Sequence, residues 1–402
     1  MSDTTNENNL WGYWKSIKFY YKLKKPEVYE PKLLSYTPFY PNETATKSAE
    51  IINTDILMDF NPSTGSNGAI TTQHNTSKKE KTFIHEFCIH NKLPVANGKK
   101  PLDIVLVHGY GAALGFFYRN FDALSDIPGS TLHALDLNGF GLSGRPKFPN
   151  LKGDSVDDVL KSEAFYVDAL EQWRLKRGVD EFVLMGHSMG GYLSCCYYLK
   201  FGKGVVKKLV LISPVGVEDS EFSLLKDDEH QKVDPTQDLN KTADVVGKEG
   251  VDVKQEVVDP KELEKLVLQP VKSNIANHST FSENDDIEKL GPERKIRINN
   301  KWIIKLWNNH YSPFQVLRAM APVSPKFMSQ WTYRRFEQAK DATELLTVFQ
   351  YTASIFLSKG SGEYGLTRLL APGALAKLPL IKRVPDKIKV PTVMSQLEPS
   401  SD

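Results

Sequence analysis

The sequence predicts an α/β protein with a mostly parallel central sheet. Several short, continuous apolar runs indicate strands that are buried on both faces, as is typical of parallel sheets. Helix-prone segments separate these runs, so that strands and helices alternate along the chain. The predicted strands cover residues 83–90, 104–107, 131–137, 182–185 and 207–213, and a further strand begins at residue 390.

One of these strands leads directly into Gly186-His187-Ser188-Met189-Gly190, a Gly-x-Ser-x-Gly motif. A helix-prone run follows at once, and this order of strand, serine and helix is that of a nucleophile elbow. The glycines remove the Cβ atoms that would collide in so sharp a turn. We therefore expect Ser188 Oγ to be an exposed nucleophile and the Met189 N–H to be an oxyanion donor. The alternative is a chance match in a loop, which the flanking strand and helix disfavour.

A second glycine-containing loop, His108-Gly109-Tyr110, follows the strand at 104–107. In elbow architecture the second oxyanion donor comes from such a loop, so the Tyr110 N–H is the candidate. His108 is expected to brace the loop rather than to act as a general base, because the base belongs on a loop far along the chain. His187, beside the serine, is likewise interpreted as a structural residue of the site, as are the glycines.

The composition and motifs exclude several other classes of function. A formal net charge of +2 over 402 residues gives no strong basic field for nucleic acid. No Gly-x-Gly-x-x-Gly motif opens a helix, so neither a dinucleotide nor any other cofactor is predicted. His85 and His90 are interpreted as solvent-side residues on opposite faces of a strand, so no metal site is predicted. Three cysteines, Cys88, Cys195 and Cys196, are too few for a disulfide framework and indicate a reducing compartment.

Residues 1–82 are predicted to form an N-terminal extension. Within it, residues 10–25 predict an amphipathic helix with aromatic side chains on one face and lysines on another. Such a helix either lies in the plane of an anionic membrane surface or packs its aromatic residues on the domain, and both interpretations stay open. Residues 61–82 are polar, which indicates a disordered linker. The acidic start of the chain is typical neither of a signal peptide nor of a mitochondrial presequence.

The α/β core is predicted to cover residues 83–218 and to resume at 385–402. Between them, residues 219–384 are interpreted as a helical lid inserted after the strand that ends near Ser213, with a disordered acidic insertion at about 226–292. The lid carries aromatic side chains that suit acyl chains or a lid core packed on itself. These side chains are Phe314, Trp331, Tyr333, Phe336, Phe349 and Phe356.

Several blocks of sequence point to one family. They are HGYGA, DLNGFGLSGRP, FYVDALEQWR, GHSMGGYLS, LISPVGV, WTYRRF, GSGEY and LLAPGA. Outside the acidic insertion, residues 83–394 resemble the α/β-hydrolase-domain 4/5 subfamily. Its fungal branch includes the mitochondrial cardiolipin-specific deacylase and lysophosphatidate acyltransferase-type proteins. The resemblance implies an α/β-hydrolase fold, acyl-ester chemistry on phospholipids, Ser188 as the nucleophile, and Tyr110 and Met189 as the oxyanion donors.

The resemblance also implies two C-terminal features that this sequence lacks. One is a Tyr-Gly-x-x-Asp-Trp turn after the strand that begins at Val390, which bears the acid of a triad. The other is a His-x4-Asp motif, which bears the base, and none of the nine histidines has an aspartate five residues later. No triad histidine or aspartate is therefore assigned, although Glu218 or Asp219 could supply an acid. We expect a truncated chain whose last strand and helix are missing.

Three functional hypotheses follow. The first is a serine acyl-ester hydrolase that deacylates cardiolipin at a membrane, in mitochondrial lipid remodelling. The second is an acyltransferase that passes the acyl group from the same acyl-enzyme to lysophosphatidate or another lysophospholipid. The third is a catalytically impaired lipid-binding protein, because a serine hydroxyl is a weak nucleophile without an adjacent base. The resemblance implies a peripheral mitochondrial membrane location, with the cytoplasm or the lipid-droplet surface as alternatives.

Overall fold

A large sheet organises the computed structural model, which describes residues 11–58, 79–95, 100–225, 279–280, 301–336, 338–339 and 341–395. The strands of this sheet are β1 (Lys47–Met58), β2 (Glu80–Asn91), β3 (Leu102–Val107), β4 (Ser130–Leu135), β5 (Phe182–His187), β6 (Val206–Ile212), β7 (Ser279–Thr280) and β10 (Thr392–Ser395). A separate short pair consists of β8 (Leu370–Ala371) and β9 (Leu375–Ala376).

The strands of the main sheet lie in the order β1-β2-β4-β3-β5-β6-β10-β7. The five central neighbours from β4 to β10 are parallel, whereas β1, β2 and β7 pair antiparallel. Central residues such as Val105, Leu184 and Leu209 are fully buried, as expected for strands covered on both faces. The predicted α/β class with a mostly parallel sheet is confirmed.

Helices connect the strands. The first five are α1 (Tyr13–Lys22), α2 (Pro26–Leu34), α3 (Phe121–Leu124), α4 (Val156–Arg177) and α5 (Met189–Tyr197). Helix α4 begins where the Ser155 side chain accepts a hydrogen bond from Asp158 N, and it ends at Gly178, whose φ of 67° is left-handed. Within the described ranges, no helix is both long and apolar enough to cross a membrane.

The described residues from 301 to 384, which lie between β6 and β10, form several helices. These helices are α6 (Lys301–Asn308), α7 (Pro313–Ala319), α8 (Pro325–Arg335), α9 (Ala342–Phe356), α10 (Leu366–Leu369) and α11 (Leu380–Arg383). Apart from β7, the predicted disordered insertion at about 226–292 lies outside the described residues, and so does most of the predicted linker at 61–82.

The N-terminal region differs from the extension predicted for residues 1–82. Strand β1 pairs with β2 over its full length of 12 residues, so the sheet begins well before residue 83. Glu30 on α2 is fully buried and accepts hydrogen bonds from the Tyr351 hydroxyl, at 3.0 Å, and from the His85 ring. A buried carboxylate needs such partners, so α2 is part of the folded core.

The two histidines of β2 also differ from the solvent-side placement that the sequence predicts. His85 is 3% exposed, because its ring bonds to Glu30 of α2 and lies 2.7 Å from Asn53 Oδ1 on the neighbouring strand β1. His90 is only partly exposed, and its ring contacts Cys88 Sγ at 3.4 Å. The other near neighbours of His90 lie on adjacent strands. Spacing along β2 alone cannot predict these neighbours.

Candidate active site

Ser188 occupies the sharp turn between β5 and α5. Its φ of 55° and ψ of −120° are unusual for a residue other than glycine. Hydrogen bonds fix this conformation from both sides, because Ser188 N donates to Ile212 O at 2.9 Å and Gly191 N donates to Ser188 O at 2.9 Å. Strain of this kind, held by its surroundings, is the signature of a nucleophile elbow and leaves the serine side chain partly exposed.

The flanking glycines are required by close backbone contacts. A Cβ atom on Gly190 would lie 2.5 Å from the carbonyl oxygens of Val107 and His108. A Cβ atom on Gly186 would lie 2.4 Å from Gly190 O. Since real Cβ atoms do not approach backbone oxygens so closely, the tight packing of α5 against the end of β3 depends on glycine at both positions.

The loop after β3 passes directly beside the serine. A Cβ atom on Gly109 would lie only 2.9 Å from Ser188 Cβ, so this loop and the elbow are in van der Waals contact. Tyr110 is the next residue of the loop, and Met189 is the first residue of α5, where a backbone N–H has no acceptor within the helix. The structure therefore brings both predicted oxyanion donors next to Ser188.

His108 is buried and holds the loop in place. Leu137 N donates to His108 Nε2 at 3.0 Å, and His108 Nδ1 lies 2.7 Å from Gly109 O. These partners assign the proton of a neutral ring to Nδ1. Burial lowers the pKa of His108 to about 4, which keeps the ring neutral at physiological pH. With both ring nitrogens engaged, His108 braces the loop and has no nitrogen to offer to Ser188.

His187 lies beside the serine with a ring nitrogen that is not hydrogen-bonded. Its Nδ1 is buried without a partner among the described residues, and its ring meets Phe117 edge-on at 5.9 Å. Burial lowers the pKa of His187, and the nearby positive charge of Arg335 lowers it further. The ring is therefore neutral near pH 7.

The remaining candidate bases and acids are engaged elsewhere or lie outside the described residues. His85, His90 and His133 are bonded within the sheet, His310 lies in the lid, and His74, His230 and His278 are not among the described residues. Asp219 forms an ion pair with Lys382 at 2.8 Å and accepts a hydrogen bond from Ser220 N. No described histidine forms a hydrogen bond with Ser188.

Asp136 is a site residue that the sequence analysis did not assign. It is fully buried at the end of β4 and accepts hydrogen bonds from Leu114 N and Leu142 N, both at 2.7 Å. Burial, followed by the negative charge of Glu30, raises its pKa to about 7. Asp136 thus ties together the loops that follow β3 and β4. Its place at the start of the block DLNGFGLSG is the only signal for this role in the sequence.

The end of β10 reaches the same edge of the sheet as Ser188. Ser213 N donates to Ser395 O at 2.6 Å, so β10 and β6 end side by side. In open α/β sheets, ligands bind beyond the carboxyl ends of the parallel strands. The turn implied by the resemblance would emerge here, and residues 396–402 lie outside the described part of the chain.

The lid packs aromatic side chains on the loop that follows β3. The Tyr110 ring stacks on Phe314 at 5.3 Å, and Phe314 contacts Phe356 at 4.5 Å. A small cavity lies between Gly111, Phe140 and these two phenylalanines. Trp331, which is 37% exposed, continues the cluster through Phe356 at 5.5 Å.

Two of the predicted lid aromatics have a different place. Phe349 is fully buried and stacks with Tyr333, whose hydroxyl accepts a hydrogen bond from Trp11 Nε1 at 3.0 Å. Phe349 also contacts Phe19 of α1 at 4.9 Å. These side chains hold the N-terminal helix on the lid and are not available to a ligand.

Comparison with known proteins agrees with this architecture. A family model described as alpha/beta hydrolase fold matches residues 104–250. A probable 1-acylglycerol-3-phosphate O-acyltransferase from Oryza sativa subsp. japonica is 28% identical over 72% of this chain and 53% of its own length. The chain therefore spans about half the length of this relative.

Shorter matches have higher identity. The 1-acylglycerol-3-phosphate O-acyltransferase ABHD5 of Sus scrofa is 34% identical over 36% of this chain and 43% of its own length. A human (lyso)-N-acylphosphatidylethanolamine lipase is 40% identical over 31% of this chain and 32% of its own. A solved structure of a probable hydrolytic enzyme from Pseudomonas aeruginosa is 17% identical in sequence, with a TM-score of 0.40. The match covers 85% of this chain and 72% of the length of that chain.

The sheet order, the serine elbow and the matching family model agree with one another. The described residues have an α/β-hydrolase fold, and the proteins to which this chain is similar include some named as lipid acyltransferases and lipases.

Proposed function

We propose that this protein is a serine acyl-ester hydrolase that acts on phospholipids, with cardiolipin deacylation as its reaction. The observation that carries the proposal is the strained conformation of Ser188, φ 55°, in contact with the loop that holds Tyr110. A site that needs an exposed serine and adjacent backbone donors accounts for this combination. The named lipases among the homologues support the hydrolytic chemistry, and the family resemblance supports cardiolipin as the substrate.

In the proposed reaction, Ser188 Oγ attacks the carbonyl carbon of a glycerol-backbone ester. The N–H groups of Tyr110 and Met189 stabilise the oxyanion. When the intermediate collapses, the ester C–O bond breaks and the proton lost by Ser188 passes to the leaving glycerol oxygen, which releases the lysophospholipid and leaves an acyl-enzyme. Water then hydrolyses the acyl-enzyme to free fatty acid. Phe314 stacks on Tyr110 and contacts Phe356, and this apolar surface beside the loop supports binding of the acyl chain there.

Two alternatives have specific support. Acyl transfer to lysophosphatidate uses the same acyl-enzyme, and several homologues are named acyltransferases. A lipid-binding role with impaired catalysis is favoured by the described histidines, none of which hydrogen-bonds to Ser188. Two measurements on the full chain separate these functions. One maps labelling by a fluorophosphonate probe, and the other follows a labelled acyl group from cardiolipin vesicles.

Each outcome selects one function. Labelling at Ser188 with release of labelled fatty acid supports the hydrolase. Transfer of the labelled acyl group to added lysophosphatidate, without free fatty acid, supports the transferase and contradicts the hydrolase. A folded chain that binds the vesicles but is not labelled at Ser188 contradicts both enzymatic functions.

The proposal includes a membrane surface as partner, reached through the helix predicted at residues 10–25. In the structure α1 docks through Trp11, which is 5% exposed, whereas Trp14 and Tyr21 are 78% and 75% exposed. Exposed lysines, including Lys15, Lys18 and Lys22, lie on the same helix. One face of α1 therefore packs on the domain while another presents aromatic and basic groups, a combination suited to an anionic bilayer.

Replacing Trp14 with alanine is expected to weaken binding to cardiolipin-containing vesicles by about tenfold, because the exposed indole loses its burial at the interface. Vesicle flotation measures the effect, and the melting temperature should not change. Trp11→Ala is the matched control, because Trp11 contacts Phe19 at 4.8 Å and Phe349 at 4.6 Å, so its loss should lower the melting temperature. Equal vesicle binding by Trp14→Ala and the parent protein would contradict the membrane role of α1.

A peripheral location on mitochondrial membranes completes the proposal and rests on the family resemblance alone. Subcellular fractionation of the full protein, followed by a carbonate wash, tests it. Recovery in the cytoplasmic fraction or on lipid droplets would contradict it.

A further inference from the structure

A cluster of metal-ligand side chains lies on β2 and β4, away from the serine elbow. Cys88 of β2 stands directly opposite His133 of β4 in the antiparallel register. Glu86 and His90 lie two residues to either side of Cys88, so all three share one face of β2. The pairing of two strands thus gathers a thiol, two imidazoles and a carboxylate on a single face.

The distances to Cys88 Sγ resemble those between the ligands of a tetrahedral zinc ion, whereas Glu86 Oε1 and His133 Nδ1 are closer, at 2.6 Å, and share a hydrogen bond. Cys88 Sγ lies 3.4 Å from His90 Nε2 and 3.8 Å from His133 Nδ1. Bond lengths of about 2.3 Å to sulfur and about 2.0 Å to nitrogen place tetrahedral S and N ligands about 3.5 Å apart. The ligand atoms of Glu86, Cys88 and His133 all lie within 4.8 Å of one another.

Neighbouring side chains orient the ligand atoms toward a common point. His133 Nε2 lies 3.2 Å from Asp103 Oδ1, which leaves Nδ1 to face Cys88. Glu86 Oε2 accepts hydrogen bonds from Trp173 Nε1 at 3.0 Å and from Arg177 Nε at 3.1 Å, which leaves Oε1 on the side of the cluster. Carboxylate–histidine pairs and hydrogen-bonded carboxylates are the usual supports of metal ligands.

Without a metal, the ligand atoms bond to one another and to neighbouring groups. His133 Nδ1 lies 2.6 Å from Glu86 Oε1, and Arg177 lies 3.1 Å from Glu86 Oε2 and 4.0 Å from Cys88 Sγ. A divalent cation would take the place of the hydrogen between Glu86 and His133, and its binding to imidazole and thiolate would release protons.

We propose that Glu86, Cys88 and His133 bind a zinc-class divalent cation as its three protein ligands. The mixture of thiolate, imidazole and carboxylate selects zinc over the hard cations magnesium and calcium. The His90 side chain is 42% exposed, and this edge of the cluster provides the entry path. The ion would join β2 to β4 and stabilise the sheet independently of the reaction at Ser188.

Titration of the chelator-treated full chain with cobalt(II) and zinc(II) tests this proposal. We expect one equivalent of cobalt to give the intense visible bands of a tetrahedral ion and a sulfur-to-cobalt charge-transfer band, both of which zinc abolishes. Cys88→Ser should remove the charge-transfer band and the zinc-induced rise in melting temperature. Asp103→Asn should weaken zinc binding by about 10- to 100-fold, because His133 loses its carboxylate partner.

Matched variants distinguish loss of metal binding from loss of folding. Cys195→Ala removes a different buried thiol and should leave both bands unchanged. If Cys88→Ser does not fold, Asp103→Asn, which leaves the three ligands in place, should still lower the zinc affinity. Absence of stoichiometric metal binding by the parent protein would overturn the proposal. A charge-transfer band that survives in folded Cys88→Ser would do so as well.

Discussion

Replacing Ser188 with alanine is expected to eliminate covalent labelling by fluorophosphonates and to remove the cardiolipin hydrolysis that proceeds through an acyl-enzyme. The proposed reaction forms its acyl-enzyme on Ser188 Oγ, and the strained turn positions that atom beside the backbone donors of Tyr110 and Met189. Alanine keeps the turn but removes the reacting oxygen. Peptide mass spectrometry of the labelled protein and fatty-acid release from vesicles measure the two effects.

A matched serine variant separates chemistry from folding. Ser358 lies in the lid, where its Oγ donates to Ser354 O at 2.8 Å, a local bond whose loss leaves the fold intact. Ser358→Ala should be labelled like the parent protein. Hydrolysis or labelling that persists in folded Ser188→Ala would show that another residue is the nucleophile and would refute the proposed function.

The variant Glu163→Gln is expected to destabilise the protein by about 3–5 kcal/mol, because it leaves a buried guanidinium without its charge partner. Arg383 of α11 and Glu163 of α4 are both 0% exposed and form a bidentate pair with distances of 2.7 and 2.9 Å. The same guanidinium donates to the Tyr192 hydroxyl on α5 at 3.2 Å. Arg383 therefore links the segment that returns from the lid to α4 through Glu163. It also links that segment to α5, the helix that follows Ser188, through Tyr192. Urea unfolding measures the loss.

An exposed ion pair provides the control. Glu181 and Lys207 lie 2.6 Å apart, but their side chains are 48% and 37% exposed. Solvent screens such pairs, so Glu181→Gln should change the free energy of unfolding by less than about 1 kcal/mol. Similar losses for Glu163→Gln and Glu181→Gln would contradict the structural role assigned to Arg383.

The sequence was most informative where a feature depends on neighbours along the chain. The run that becomes β5 and the glycines at 186 and 190 predict the strand, the turn and the start of α5. The structure has all three, with the serine strained as the motif requires. The motif is local, because the collisions that glycine avoids lie within a few residues of the turn and at the end of the adjoining strand.

The sequence was less informative about the N-terminal region. A polar stretch precedes residue 83, and the prolines of α2 argue against a long helix. Yet β1 pairs with β2, and Glu30 is buried against a lid residue that lies 321 positions away. Composition describes the polarity of a segment, whereas strand pairing depends on a partner that composition does not specify.

The aromatic residues of the lid show the same limit. Their composition is compatible both with an acyl-chain surface and with a self-packed core. The structure divides them, since Phe314 stacks on Tyr110 and contacts Phe356, whereas Phe349 contacts Trp11 and Phe19 at the N-terminal helix. A helical pattern indicates which residues share a face but does not indicate what that face meets.

The sequence by itself determined the α/β class, the position of the elbow and the serine within it, because these follow from apolar runs and from residues adjacent in the chain. Only the tertiary structure decided which distant groups meet: Glu163 with Arg383, and Cys88 with His133. Such contacts depend on strand register and on the packing of helices. Both are set by many weak interactions spread over the whole chain. Sequence spacing alone places His85 and His90 on opposite faces of β2. The face that carries Cys88 becomes a candidate metal site only because β4 brings His133 beside it.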